Sequence, residues 1–107
     1  MQQLSPDGLQ RWLADGGRHA PFLLDVRELW EFAHCRIDGT QSMPMGAVPS
    51  RLAELPKDQD IVVICHHGGR SQQIALLLER SGFDRVYNLQ NGVHTWALQI
   101  DPTMPRY

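Results

Sequence analysis

Cys65 opens the run Cys65-His66-His67-Gly68-Gly69-Arg70-Ser71, a set of residues suited to holding an anion around a thiol. Before it stands Asp60-Ile61-Val62-Val63-Ile64, four consecutive β-branched side chains after a polar start. That pattern predicts a central strand over 60–65, buried on both faces. After it, Ile74, Ala75, Leu77 and Leu78 share one side of a segment that ends at Gly82, which predicts a helix over 70–81 with a glycine C-cap. The thiol is therefore expected at the C-terminal end of a strand and just before a helix N-terminus, where ligands of open parallel sheets bind. The first N–H groups of a helix lack intrahelical partners there, and the helix dipole adds roughly half a positive charge. Gly68 and Gly69 permit positive φ, so successive N–H groups can turn toward one point. Arg70 adds positive charge and the Ser71 hydroxyl a further donor. A thiol in such a setting reacts as a thiolate, so the chemistry needs no general base, and the loop contains no evident acid–base pair. A small buried residue ending a strand is the plainer reading of Cys65. The glycine pair, the arginine and the helix start favour the nucleophile.

The elements that must position this loop can be read along the chain. Ser5 is a candidate N-cap, Pro6 suits the first helical position, and Leu4 can staple onto Leu9. Leu9, Trp12 and Leu13 then form an apolar stripe that stops at Gly16-Gly17. Phe22 to Val26 reads as a buried strand, 28–33 as one or two helical turns, and Ser42-Met43 as a very short strand. A brief helix is expected over 50–55, a strand over 85–89 and a last helix over 92–98. The tail Asp101-Pro102-Thr103-Met104-Pro105 is expected to be extended. Strands alternating with helices give an α/β class: a small, mostly parallel central sheet flanked by helices on both faces.

Bulk properties narrow the setting. The chain has 107 residues, 42% hydrophobic and 21% charged, with a formal net charge of -2, which suits one domain with a core about 4–98. No basic patch speaks for nucleic acid. No apolar stretch approaches the roughly 18 residues of a membrane span, and Met1-Gln2-Gln3 lacks the features of a signal peptide. The expected location is the cytoplasm. The two cysteines, Cys35 and Cys65, are accordingly expected as thiols and not as a structural bridge.

Taken together, Leu24-Asp25-Val26-Arg27-Glu28, Glu31-Phe32, Ile37-Asp38-Gly39, the Cys65 loop with Arg70-Ser71, Asn91-Gly92-Val93 and Trp96 resemble the single-domain rhodaneses. The likeness runs in order from the first helix to Trp96. It departs at Cys35-Arg36, where Gly-His is usual, at Asp38, where proline is common, and at Asn91, where the family often has glycine. Asparagine tolerates the left-handed conformation that position implies. The resemblance implies the rhodanese fold and sulfurtransferase chemistry. Cys65 would attack the outer sulfur of thiosulfate, release sulfite and become a persulfide, and cyanide or a thiol, including a protein acceptor, would remove the sulfur. Residues 66 to 70 would supply the amide cradle, with His66, His67, Gly68, Gly69, Arg70 and Ser71 around the substrate. No cofactor is implied.

Other residues have two readings each. Asp25 and Arg27 end a strand beside that of Cys65 and either contact the loop or substrate or form an ion-pair bracket. Cys35 is read as a small packed residue, with a resolving thiol as the alternative. His66 and His67 are adjacent, and adjacent side chains rarely converge on one ion, so they are expected to shape the pocket and tune its charge without metal. Trp12, Trp30 and Trp96 are read as core or rim packing. Two rival functions remain. A phosphatase or arsenate reductase of related fold would place its arginine six positions after the cysteine, where this chain has Ser71. A non-catalytic rhodanese-like docking module would usually lack the cysteine or the glycine loop.

Overall fold

The computed structural model describes residues 1–107. Five parallel strands form one sheet: β1 (Gln2–Leu4), β2 (Phe22–Asp25), β3 (Gln41–Ser42), β4 (Ile61–Ile64) and β5 (Val86–Leu89), in the order β1-β5-β4-β2-β3. The helices are α1 (Pro6–Ala14), α2 (Leu29–His34), α3 (Gly69–Arg80) and α4 (Gly92–Gln99), with 3-10 turns at Met45–Ser50 and Leu52–Glu54. The expected α/β class and parallel pairing hold, as do the helices expected over 70–81 and 92–98.

Period-two alternation along β4 divides the core. Ile61, Val63 and Cys65 face one cluster, which holds Ile74, Ala75 and Leu78 of α3. Val62 and Ile64 face the other, which holds Leu9 and Trp12 of α1 and Val93, Trp96 and Ala97 of α4. All four residues of β4 are buried, as a central strand covered by helices on both faces requires. At the start of α1 the Ser5 Oγ accepts from Gly8 N–H at 2.9 Å with Pro6 at the first helical position, the expected cap. Gly82, at φ +93°, ends α3, and Phe83 N–H reaches back to the Leu78 carbonyl at 3.0 Å.

Three expectations are corrected, and one strand has no counterpart among them. The sheet has an edge strand, β1, that two adjacent glutamines conceal in the sequence, because an exposed three-residue strand carries no hydrophobic pattern. Leu13 is 40% exposed and lies outside the apolar stripe of α1. The expected helix over 50–55 is instead two 3-10 segments, with Pro49 inside the first, where the missing N–H favours a tight turn over a regular helix. The tail is not extended throughout. A turn at Asp101 brings Met104 N–H onto the Asp101 carbonyl at 3.1 Å, and Met104 packs into the α1/α4 cluster.

Candidate active site

The end of β4 and the start of α3 meet at Cys65, which is 1% exposed. Gly68, at φ +100°, is the N-cap of α3, and its N–H donates to Cys65 Sγ at 3.0 Å. A side chain at Gly68 would bring a Cβ to 3.0 Å from the Asn91 amide nitrogen, so this turn requires glycine both for φ and for space. Gly69 is the first residue of α3 and has open space around it. The glycine pair therefore does its work through Gly68.

The loop is held from behind by α4. Val93 N–H donates to the Cys65 carbonyl and His94 N–H to the His66 carbonyl, each at 3.0 Å. Asn91 and Gly92 sit in the left-handed region at φ 60° and 55°, which brings the first turn of α4 against the Cys65 loop. A Cβ on Gly92 would lie 2.1 Å from the Cys65 carbonyl oxygen. Two unusual backbone positions thus aim a helix N-terminus at the loop carbonyls, leaving the Cys65 sulfur on the opposite, α3 side.

Ser71 Oγ lies 3.2 Å from Cys65 Sγ and donates its own hydrogen to Asn88 Oδ1. The Asn88 amide nitrogen donates to Gln3 Oε1 at 2.9 Å and to the Gly68 carbonyl at 3.3 Å, and Gln3 donates in turn to Gln72 Oε1 at 3.2 Å. This order fixes a direction. With the Ser71 hydrogen committed to Asn88, its oxygen faces the sulfur as an acceptor for the thiol hydrogen and not as the further donor expected from the sequence. The Asn88 side chain is buried beneath the loop, so the chain links Cys65 to β5 and to β1.

Arg70 does not point freely at the sulfur. Its guanidinium forms a bidentate pair with Glu31, at 2.7 and 2.9 Å. Glu31 is buried; its carboxylate also takes the Glu28 N–H at 2.9 Å and the Tyr107 hydroxyl at 2.8 Å. The Arg70 hydrogen bonds outweigh the opposing cost of burial and hold Glu31 down at about 2. The same pairing raises Arg70, so its charge is permanent. Tyr107 is pushed up to about 12, first by burial.

Asp25 and Arg27 form a bracket below the loop. Both side chains are fully buried and paired at 2.7 Å, and Arg27 also reaches the Cys35 carbonyl at 2.6 Å, the Glu31 carbonyl at 3.3 Å and the Tyr107 hydroxyl at 2.9 Å. Burial works against the Arg27 charge, but Asp25 and the Tyr107 hydroxyl outweigh it and raise the group. A buried charge with every donor engaged is a structural tie, and here it joins β2, α2 and the tail. The ion-pair reading is the one the geometry favours.

His66 stacks on Tyr107 with ring centroids 3.9 Å apart, and burial lowers it below the usual histidine value. His67 is exposed and lines a wholly polar groove with Gln3, Gly68, Gly69, Gln72, Asn88, Gln90 and Asn91. Cys35 is a free, buried thiol, with its sulfur 3.8 Å from an Arg27 Nη1. Trp12 and Trp96 are core residues, whereas Trp30 is 64% exposed and meets Tyr107 edge-on. Sequence reasoning missed Glu31, Asn88, Gln3 and Tyr107 as supports of the site. Glu31 had a signal, three positions after Glu28 at a helix start, but its partner across the fold had none.

A family model described as "Rhodanese-like domain" matches residues 5–99. The chain belongs to the rhodanese-like family. A protein named "Sulfurtransferase" from Allochromatium vinosum is 35% identical over 97 residues, covering 91% of this chain and 89% of that protein. "Thiosulfate sulfurtransferase GlpE" of Stutzerimonas stutzeri is 32% identical over 74 residues, 69% of this chain and 68% of that protein. Other relatives are longer: in "Adenylyltransferase and sulfurtransferase uba4" of Aspergillus fumigatus, 30% identical, the match covers 87% of this chain but 25% of that protein. Among solved structures, a rhodanese-like domain protein from Staphylococcus aureus superposes with a TM-score of 0.83 at 28% identity, over 90% of this chain and 91% of that one. The rhodanese-like fold expected from the motifs is thereby established, and the named relatives are sulfurtransferases. No helix is long and apolar enough to cross a membrane.

Proposed function

We propose that this rhodanese-like protein transfers a sulfane sulfur through a persulfide on Cys65, taking it from thiosulfate or a persulfide donor and giving it to cyanide or a thiol. The observation that carries this reading is the position of Cys65 Sγ, 3.0 Å from the Gly68 N–H at the N-terminus of α3. An oriented amide and a helix N-terminus stabilise a sulfur anion without a base. The thiolate attacks the outer sulfur of thiosulfate, a new S–S bond forms, and the old one breaks with its electron pair leaving on sulfite. Cyanide carbon then attacks the outer persulfide sulfur, thiocyanate leaves, and the Cys65 thiolate returns. Both halves balance without an external oxidant or reductant.

The printed names of the relatives support transfer chemistry, and that of the Stutzerimonas stutzeri protein supports thiosulfate as a donor. His66, His67, Gly68, Gly69, Arg70 and Ser71 are assigned to the substrate side of the loop, with Asp25 and Arg27 as supports beneath it. The phosphatase reading is disfavoured because both ends of the Arg70 fork are engaged by Glu31 and are not free to clamp a tetrahedral oxyanion. The test is thiocyanate formation from thiosulfate and cyanide, run beside hydrolysis of an aryl phosphate. The reading requires thiocyanate production that disappears in Cys65→Ala. Aryl phosphate turnover faster than sulfur transfer would reverse the assignment.

A further inference from the structure

The sequence keeps His94 far from His66 and His67, and on spacing alone the histidines share no ligand pattern. The fold brings them together: one ring nitrogen from each of the three lies within 4.8 Å of the others. We propose that His66, His67 and His94 form a three-imidazole site for a borderline-soft divalent cation of the zinc class, at the rim of the Cys65 loop.

Three observations support it. The residues come from two elements whose relative position is fixed by backbone, since His94 N–H donates to the His66 carbonyl and Val93 N–H to the Cys65 carbonyl, each at 3.0 Å. The rings face one another, with centroids 4.0 Å apart for His66 and His67 and 4.9 Å for His67 and His94. Their nitrogens are also uncommitted. The one histidine ring with a hydrogen bond inside the protein is that of His34, to the Arg106 carbonyl, whereas buried or half-buried imidazoles ordinarily engage a carboxylate or carbonyl.

The chemistry fits imidazole-binding metals. Zinc takes nitrogen at about 2.0–2.1 Å, so two ligands of one tetrahedral ion stand about 3.4 Å apart by that geometry. His66 and His94 are the widest pair, with ring centroids 5.9 Å apart, so the spread closes by side-chain rotations on the order of 1 Å of the half-buried His94 together with the exposed His67. His66 is held by its stack on Tyr107. Three protein ligands leave a position for water or an incoming anion, and imidazole suits zinc, copper and nickel where carboxylate sites suit magnesium and calcium. The binding claim does not depend on sulfur transfer.

The test is zinc affinity of the reduced, full-length chain, read by competition with a chromophoric chelator, together with the visible spectrum of the cobalt(II) form. One ion per chain is expected. His94→Gln and His67→Gln should each weaken binding by about tenfold or more, since losing even an outer partner of a metal ligand costs that much. His67 is exposed, so its variant reports on binding without a folding defect. Cys35→Ser should bind as the wild type does, and the cobalt spectrum should lack a thiolate charge-transfer band. Unchanged affinity in both histidine variants, absence of zinc binding, or a thiolate band in the cobalt form would overturn the site.

Discussion

Both terminal nitrogens of Arg70 rest on the Glu31 carboxylate, at 2.7 and 2.9 Å. This pair ties the first turn of α3, where the Cys65 loop ends, to α2. It also leaves the arginine as a fixed local charge and not a mobile clamp. Glu31 is therefore a positioning residue, and its loss should move the loop without touching the thiol.

Glu31→Gln is expected to cost about 1–3 kcal/mol at neutral pH, the range for hydrogen bonds to a charged group with one partly exposed partner. The effect carries a pH signature. The carboxyl is near 4.5 when unpaired and about 2 in the fold, so its stabilisation is complete above the first value and lost as pH falls toward the second. Urea unfolding of both proteins across that window should show the wild type falling toward Glu31→Gln. A gap that stayed constant down to the lower value would contradict the pairing.

Gly92→Ala and Gly69→Ala should separate cleanly. The first combines a left-handed φ with a Cβ 2.1 Å from the Cys65 carbonyl oxygen, and a cost of about 2–5 kcal/mol follows from strain plus overpacking. The second adds a Cβ into open space at the start of a helix and should stay within about 1 kcal/mol of wild type, on the stabilising side. Thermal unfolding of the two variants checks both statements.

Ser71→Ala removes the oxygen 3.2 Å from Cys65 Sγ and leaves Asn88 Oδ1 without its donor. A destabilisation of about 1–3 kcal/mol is expected from the unpaired buried acceptor, with sulfur loading at Cys65 not slowed, because the Ser71 oxygen accepts at the sulfur and does not donate to the thiolate. Stopped-flow or quenched-flow loading kinetics, compared with equilibrium unfolding, separates the two effects. Loading slowed beyond what the loss of stability explains would contradict the acceptor role of the Ser71 oxygen.

The tail makes a spectroscopic prediction. The Tyr107 hydroxyl bridges Arg27 and Glu31, and burial pushes its ionisation up to about 12. Ultraviolet titration should show a phenol that ionises late and that is missing in Tyr107→Phe. That variant should lose about 1–2 kcal/mol of stability with the bridging bonds. A wild-type titration identical to that of the variant, apart from one ordinary phenol, would detach the tail from the network.

Much of the site was legible because it is local. The β-branched run of β4, the glycines and the helix pattern of α3 place Cys65 without any distant partner, and asparagine at Asn91 is compatible with the left-handed turn that the family likeness implies. What stayed hidden depends on contacts across the fold. Glu31 and Arg70 are joined by topology, as are His94 and the His66-His67 pair, and no spacing in the sequence encodes either meeting. The β1 strand is too short and too polar to show a pattern. The tail, expected to be extended, is pulled back by Met104 in the core and Tyr107 on the ion-pair network.

The most direct test of the central claim is intact mass of the reduced protein after brief exposure to thiosulfate. The wild type should gain one sulfur atom, cyanide should remove it, and Cys65→Ala should gain none. No adduct from thiosulfate or from any persulfide donor, or an adduct that persists in Cys65→Ala, would contradict a persulfide carried on Cys65.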